Sequence, residues 1–274
     1  MTSPRAVLLL EDGTTFEGQA FGAVGEAVGQ AVFYTGVVGY QEVLTSPSYR
    51  GTLPVLTYPI IGSYGVNAED GESACIQASG VVIKEYSRHH SNFRATGALE
   101  PMLAEQGVVG IQGIDTRALA VHLREHGEQC GLIASGDDLD HDALADKLAA
   151  APSPFDADLL AGLPPASPPA TDGAATPIVV LDLGVTRSML AHLAAAGAAV
   201  EIVPANTSAE DIAARRPKGV VAAGGPGDPH VPTYAVETVK ALLGDIPVLG
   251  IGLGCQIVAL ALGCGVTRLK AGHH

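Results

Sequence analysis

The stretch that decides the fold is Gly250-Ile251-Gly252-Leu253-Gly254-Cys255-Gln256, which follows the apolar run at residues 246–249 and precedes a second at 257–262. A strand that enters a G-x-nucleophile-x-G turn and leaves as a helix forms a nucleophile elbow, in which the central side chain stands exposed above a sheet. The central residue here is Gly252, which has no side chain. Because glycine tolerates the strained backbone of such a turn, we expect the elbow to fold without its nucleophile.

Apolar runs alternate with amphipathic segments on the amino-terminal side of the elbow. This alternation predicts strands and helices in turn, with strands at 178–183, 200–203, 219–223 and 247–251 and helices at 187–196, 208–215, 232–243 and 256–262. Uniformly apolar strands joined by helices indicate a parallel sheet that is covered on both faces. Ligands of such sheets bind at the carboxyl ends of the strands, where the elbow and the loop around Gly225 both fall.

The first half of the chain has a different composition. Residues 1–150 contain short Val, Thr, Tyr and Ile runs, such as 30–34, punctuated by Gly and Pro, and this pattern predicts a mainly β domain. A helix is predicted at 115–125, where apolar residues recur at helical spacing behind an acidic start. Residues 151–177 are dense in Pro, Ala, Ser and Gly, so they are interpreted as a linker to a second domain at 178–274.

Composition excludes several classes of function. The 274 residues are 47% hydrophobic and 16% charged, with a net charge of −14. Such an acidic chain lacks the basic surface that nucleic acids and anionic membranes require, so neither is expected as a partner. We also expect a cytoplasmic location, because no apolar run reaches the roughly 18 residues of a membrane span and the apolar start is too short for a signal peptide.

The four cysteines suggest neither a disulfide framework nor a zinc site. Cys75, Cys130, Cys255 and Cys264 contain no C-x-x-C pair. We expect them to be reduced and mostly buried, and Cys255 in particular to be a buried structural cysteine rather than a relocated nucleophile.

The elbow resembles the G-I-C-L-G-H-Q motif of class I glutamine amidotransferases, and the whole chain resembles the small subunit of carbamoyl-phosphate synthase. Several further motifs, in the same order along the chain, carry this resemblance: Thr35-Gly36, Gly39-Tyr40-Gln41-Glu42, Pro47-Ser48-Tyr49-Arg50-Gly51, Thr57-Tyr58-Pro59, Ile61-Gly62, Tyr64-Gly65-Val66-Asn67, Gly113-Ile114-Asp115-Thr116-Arg117-Ala118-Leu119, Asp182-Leu183-Gly184-Val185 and Gly225-Pro226-Gly227-Asp228-Pro229. The resemblance implies an α/β protein with a mainly β N-terminal domain. A flavodoxin-like, parallel-sheet amidotransferase domain, C-terminally shortened, is expected to follow it.

The resemblance also implies a chemistry. In this family a cysteine thiolate attacks the side-chain amide of glutamine, and backbone N–H groups hold the oxyanion. The released ammonia passes to a large subunit, which uses ATP and Mg and makes carbamoyl phosphate for arginine and pyrimidine synthesis. The implied oxyanion donors are the N–H groups of Gly225 and Leu253. The implied glutamine-binding positions are Ser48, Gly225, Gly227, Leu253 and Gln256, and no metal or other cofactor is expected in this chain.

Two departures from the family pattern predict that glutaminase activity is lost. Gly252 occupies the position of the nucleophilic cysteine, which makes this catalytic position non-functional. The family places its catalytic His and Glu well beyond the elbow, whereas this chain stops at His274. His273 and His274 match a different stretch of the family, so we do not expect them to replace that pair.

Each candidate residue also has a simpler interpretation. The Gly225–Gly227 loop alone is compatible with an ordinary glycine turn, and its position after a parallel strand favours the oxyanion loop. Ser48 is either a solvated loop serine or a glutamine-binding residue. The adjacent pair His89-His90 is interpreted as surface histidines, because neighbouring side chains point in different directions and no third ligand is evident.

Three hypotheses for function remain open at this point. In the first, the chain is a subunit of a carbamoyl-phosphate synthase-like complex, whose role in the family is to deliver ammonia from glutamine to the large subunit. In the second, it is a catalytically dead paralogue that serves as a docking or regulatory module for a synthase that uses free ammonia. The third hypothesis is a fragment whose remaining residues were lost or are supplied by another chain.

Overall fold

The computed structural model describes residues 3–168 and 175–272, and its contacts divide the chain into two compact units. The first unit comprises Met1–Pro154 together with Arg268–His274, and the second comprises Phe155–Thr267. Part of the predicted linker, residues 169–174, lies outside the described residues. In the segment just before it, Leu160 is buried and belongs to the hydrophobic core of the second unit.

The first unit is built on a closed seven-stranded barrel with the strand order β1-β2-β6-β5-β4-β3-β7. Its strands are β1 (Arg5–Leu10), β2 (Thr15–Gly22), β3 (Glu26–Tyr34), β4 (Thr52–Ile61), β5 (Gly80–Tyr86), β6 (Val109–Gln112) and β7 (Gln129–Ser135). Strands β3, β4, β5 and β6 pair parallel with one another, whereas the pairs β1–β2, β1–β7, β2–β6 and β3–β7 are antiparallel. The result confirms the expected mainly β domain.

Four helices and one short 3-10 turn accompany the barrel. They are α1 (Tyr40–Thr45), the 3-10 turn Pro47–Tyr49, α2 (Leu99–Glu105), α3 (Thr116–His126) and α4 (His141–Ala150). The predicted helix at 115–125 corresponds to α3. This helix begins directly after Asp115, whose carboxylate caps the first turn by accepting a hydrogen bond from the Ala118 amide at 3.0 Å. Leu119 and Leu123 of α3 are fully buried in the barrel core.

The second unit is a four-stranded parallel sheet with helices, as the sequence predicts. Its strands are β8 (Thr176–Asp182), β9 (Ala198–Pro204), β10 (Gly219–Ala222) and β11 (Val248–Gly250), in the order β11-β10-β8-β9. Its helices are α5 (Arg187–Ala195), α6 (Ala209–Ala214), α7 (Thr233–Leu242) and α8 (Leu253–Ala261). None of the helices in the described ranges has the length and apolar character needed to cross a membrane.

Three expectations for this unit are wrong. Helix α8 begins at Leu253 rather than at 256, because Gly252 already serves as its N-cap residue. The thiol-bearing residues Cys255 and Cys264 are exposed rather than buried, since the buried side of α8 is formed by other residues, such as Ile257. Leu249 on β11 is 56% exposed, because this strand lies at the edge of the sheet and is not covered on both faces.

Candidate functional site

The turn between β11 and α8 has the backbone of an elbow. Gly252, at its apex, is exposed and adopts φ 57° and ψ −120°, a region that residues with side chains rarely occupy. A β-carbon built at Gly252 would meet only the Gly224 Cα, at 3.4 Å. Packing therefore leaves room for a side chain at the apex, and the missing nucleophile is a matter of sequence rather than of space.

The two glycines that flank the apex are required by packing. A β-carbon at Gly250 would lie 2.6 Å from the Gly254 carbonyl oxygen, and one at Gly254 would lie 2.0 Å from the Ala222 carbonyl oxygen. The Gly254 amide donates to the Ala223 carbonyl at 3.0 Å, and the Ile251 amide donates to the Ala222 carbonyl at the same distance. These contacts hold the elbow against the end of β10.

The loop after β10 lies directly beside the elbow. Gly225 is packed so closely that its β-carbon would fall 1.6 Å from the Leu183 carbonyl oxygen and 3.3 Å from Leu253 Cδ2. The structure thus places the two expected oxyanion donors, Gly225 and Leu253, side by side. Leu253 is the first residue of α8, so its amide has no acceptor within the helix and lies at the positive end of the helix dipole.

The other expected glutamine-binding residues fall into two groups. Gly227 and Gln256 are exposed in the second unit, and the Gln256 amide lies 3.3 Å from the Gly252 carbonyl, one turn into α8. Ser48 is half-buried in the 3-10 turn Pro47–Tyr49, which belongs to the first unit. Within the second unit, Gly225 is thus shown in contact with Leu253, and Gln256 lies on α8 next to the apex. A β-carbon built at Gly227 would instead meet Leu159, at 3.7 Å.

Family models of known proteins match both halves of the chain. Residues 8–133 match the family model of the carbamoyl-phosphate synthase small chain, CPSase domain, and residues 179–274 match that of class I glutamine amidotransferases. The chain belongs to the carbamoyl phosphate synthase small-chain family. Carbamoyl phosphate synthase small chains from Syntrophotalea carbinolica and Akkermansia muciniphila are each 44% identical to it, covering 98% of this chain and 75% of the relative. The small chain of Photobacterium profundum is 43% identical, covering 99% of this chain and 76% of the relative.

The loop that follows β10 contains an Asp–His pair, Asp228 and His230, that the sequence analysis did not recognise as a pair. His230 Nδ1 lies 2.6 Å from Asp228 Oδ1, which also accepts a hydrogen bond from the His230 amide at 2.9 Å. Both residues lie in the loop that follows β10, and the His230 side chain is 54% exposed. The D-x-H spacing was visible in the sequence, but nothing in the family motif marks it as functional.

A second group that the sequence analysis missed lies in the first unit. One carboxylate oxygen of Glu42, Oε2, is buried without a hydrogen-bond partner among the described residues. Burial raises the pKa of Glu42, and the nearby carboxylates of Asp70 and Glu72 raise it further. The neighbouring backbone is held by Tyr64, whose hydroxyl oxygen accepts hydrogen bonds from the amides of Gly39 at 2.6 Å and Tyr40 at 3.2 Å.

Across residues 3–168 and 175–272, no group of three or more His, Cys, Asp or Glu side chains is arranged to hold a metal ion. His89 and His90 are both exposed, as expected for surface histidines.

Proposed function

We propose that this chain is a small-chain component of carbamoyl phosphate synthase that docks with a large subunit and does not itself hydrolyse glutamine. The observation that carries the proposal is Gly252 at the apex of an otherwise intact elbow. Amide hydrolysis by this family requires a nucleophile at the apex, and a glycine cannot form the covalent intermediate.

Retention of the surrounding backbone supports a remaining role in binding. Gly225 and Leu253 lie side by side at the carboxyl edge of the sheet, where α/β proteins bind ligands. We therefore propose that glutamine, or another amide or carboxylate of similar size, binds in the second unit at Gly225, Gly227, Leu253 and Gln256. Bound glutamine would remain intact.

An exposed apolar surface in the first unit supports the docking role. Strands β3, β4 and β5 are parallel neighbours, and their carboxyl ends lie at one edge of the barrel. Five exposed apolar side chains lie at or beyond these ends: Val37, Val38, Tyr58, Ile60 and Phe93, the last of them 98% exposed. Exposed apolar patches on a protein surface commonly mark interaction sites, and in this family the partner is the large subunit.

The alternative function is that of a catalytically dead paralogue acting as a docking or regulatory module. The two roles differ in what the complex does with ammonia. A working component supports carbamoyl phosphate synthesis from ammonia by the large subunit, whereas a regulatory module changes the rate of a synthase that already contains another small chain.

The decisive experiment is co-purification of this chain with the large subunit from the same cell. Carbamoyl phosphate formation is then measured with glutamine and with ammonia as separate nitrogen donors. The small chain of Photobacterium profundum serves as the comparison protein. We expect a stable complex that makes carbamoyl phosphate from ammonia and releases no glutamate from glutamine.

Other outcomes would contradict parts of the proposal. Glutamate release by the purified chain would show that a nucleophile exists elsewhere in it. Glutamine-supported synthesis by the complex alone would show that the large subunit supplies the missing groups. Failure to bind the large subunit would contradict the docking role.

A pair of variants tests the docking surface. Phe93→Ser should weaken binding of the large subunit, because Phe93 lies at the exposed apolar edge of the barrel. Val24→Ser, at an exposed valine outside that edge, should leave binding unchanged.

A further inference from the structure

Part of the predicted linker is packed onto the second unit. Residues 158–163, which we name the strap, belong to this unit. Leu160 of the strap is 7% exposed and lies in the same hydrophobic core as Leu253, the first residue of α8, and Leu163 packs against that core. Because a core residue is held by contacts on all sides, the strap has a fixed place in the second unit.

The carboxylate of Asp158 fixes the start of the strap. Its Oδ1 accepts hydrogen bonds from the amides of Leu160 at 3.1 Å and Ala161 at 3.4 Å, which closes a tight turn. The Tyr234 hydroxyl, at the start of α7, donates to Asp158 Oδ2 at 3.0 Å. Burial, together with the contact with Asp158, raises the pKa of Tyr234 to about 12, so the hydroxyl keeps its proton at neutral pH and remains a donor.

The strap places Leu159 against the Gly225–Gly227 loop. A β-carbon built at Gly227 would lie 3.7 Å from both Cβ and Cδ1 of Leu159 and 3.8 Å from its Cγ, which is ordinary van der Waals contact. These are the three nearest atoms to that position beyond the chain neighbours of Gly227. Leu159 therefore forms the wall next to Gly227, between the Asp158 anchor and the buried Leu160.

Gly227 needs such a wall to hold its conformation. It adopts φ 88°, in the left-handed region, and it has no side chain that could pack against the rest of the unit. Glycine also loses more conformational freedom on ordering than any other residue. A neighbouring side chain that occupies the space beside it restricts the movement of the loop.

We propose that Asp158 and Leu159 are positioning residues of the glutamine site. Asp158 holds Leu159 against Gly227, and this contact keeps the Gly225–Gly227 loop in the conformation that binds the ligand. The inference rests on the proposed binding of glutamine, or of a similar amide or carboxylate, at that loop. A ligand binds only the fraction of molecules in the competent conformation, so a looser loop lowers the apparent affinity by the same factor.

The first test is calorimetric titration of L-glutamine into the full chain. We expect Asp158→Ala and Leu159→Ala each to weaken binding by about 5–30-fold, the effect of a one to two kcal/mol change in the loop equilibrium. Tyr234→Phe removes only the hydroxyl, so it should weaken binding by a smaller factor. Asp158→Asn should restore most of the affinity, because its side-chain oxygen still accepts from the Leu160 amide and its NH₂ group can donate to the Tyr234 hydroxyl.

Two matched variants and a stability measurement exclude simpler explanations. Asp156→Ala removes the same charge at an exposed position two residues before the strap anchor, and Leu262→Ala truncates an exposed leucine at the end of α8. Both should bind glutamine as the starting protein does. A purely structural role for Asp158 would lower the free energy of unfolding in urea without changing the affinity of the folded chain.

A second test needs no ligand. In a methyl-labelled chain, a nuclear Overhauser effect between the Leu159 methyl groups and the Gly227 α-protons reports the contact directly. We expect this signal in the starting protein and in Asp156→Ala, and its loss in Asp158→Ala.

The two tests distinguish failure of the glutamine site from failure of the strap. If the chain binds no glutamine but the Overhauser signal behaves as expected, the proposed glutamine site is wrong and the positioning of the loop by the strap is supported. The inference is overturned if the signal is absent from the starting protein or unchanged in Asp158→Ala. It is equally overturned if Asp158→Ala and Leu159→Ala bind glutamine as tightly as the starting protein.

Discussion

The candidate sites of the two units are built from different parts of the chain. In the second unit, the elbow and the Gly225 loop are shaped by backbone, because Gly225, Gly250 and Gly254 pack against carbonyl oxygens too closely for any side chain. In the first unit, polar side chains are held by other side chains, as in the contact of Gln129 with Asp12 and of Asp12 with His122.

This difference explains how an elbow can persist without its nucleophile. The Gly252 position has open space around a built β-carbon, and no other residue depends on a side chain there. Glycine at the position of the nucleophile therefore leaves the turn intact, and it also relieves the strain of the positive φ. A site made of side chains that hydrogen-bond to one another would lose its geometry if any one of them were replaced.

The largest expected effect is on the backbone-built site. Gly254→Ala places a β-carbon 2.0 Å from the Ala222 carbonyl oxygen, so either α8 or β10 must move. We expect the free energy of unfolding, measured in urea, to fall by about 3 kcal/mol, the upper end of the usual cost of overpacking. Gly265→Ala is the control, because a β-carbon there would meet nothing within 4 Å. Equal stability of the two variants would show that the elbow is not fixed by this contact.

The second largest expected effect concerns Gly252, at the apex of the elbow. Gly252→Cys fits the available space but forces a side chain into a positive-φ conformation, so we expect a stability loss of about 1–3 kcal/mol. We also expect no glutaminase turnover, because the reaction needs a general base and acid beside the thiol, and none of the described contacts places one at residue 252. Gly252→Ala is the matched control, since it carries the same strain without the thiol.

Two assays separate strain from chemistry at the apex. A glutamine-like electrophile should modify Gly252→Cys at residue 252, and peptide mass mapping distinguishes this adduct from reaction at the exposed Cys255 and Cys264. Multiple turnover of glutamine by the Cys variant, absent from the Ala variant, would show that a base lies within reach of the apex. His230, already bonded to Asp228 in the neighbouring loop, would be the first residue to test.

Local patterns in the sequence predicted the second unit well. Its apolar strands and amphipathic helices follow one another along the chain, and each predicted element appears with shifts of a few residues. The start of α8 was placed too late, because Leu253, Gly254 and Cys255 were assigned to the turn and Gly252 was not recognised as the N-cap. Closure of the barrel in the first unit was not predictable, since it pairs strands that are distant in sequence, such as β1 with β7.

The candidate sites were also predictable to different degrees, depending on whether a local sequence pattern locates their residues. The proximity of Gly225 and Leu253 follows from two loops at the carboxyl ends of neighbouring parallel strands, which a sequence pattern can locate. The contact of Asp12 with His122 joins residues separated by 110 positions, and no local pattern reports it. The burial of Glu42 Oε2 without a hydrogen-bond partner among the described residues likewise depends on how the chain folds around it.

A pH-dependent effect tests a side chain of the first unit. Burial raises the pKa of Glu42 above its usual value of 4.5, so ionisation of this carboxyl opposes folding. The neutral Glu42 carboxyl makes its full contribution to stability below pH 4.5. This contribution is lost as pH rises through the pKa of the folded state. Glu42→Gln stays neutral, and its stability relative to the starting protein should therefore increase as pH rises from 4.5. Urea unfolding across this range measures the difference, and Glu85→Gln, at an exposed carboxylate, should show no such trend.

The smallest expected effect is at a surface ion pair of the first unit. Lys147 on α4 lies 2.7 Å and 2.9 Å from the two carboxylate oxygens of Glu26 on β3, and both side chains are about half exposed. Because water screens such pairs, Lys147→Met should lower the free energy of unfolding by only about 0.2–1 kcal/mol, and by less at high salt. Lys240→Met is the control, since Lys240 makes no ion pair with a described residue. A loss as large as that of Gly254→Ala would mean that side-chain contacts at the barrel surface hold the fold as firmly as the backbone contacts of the elbow do.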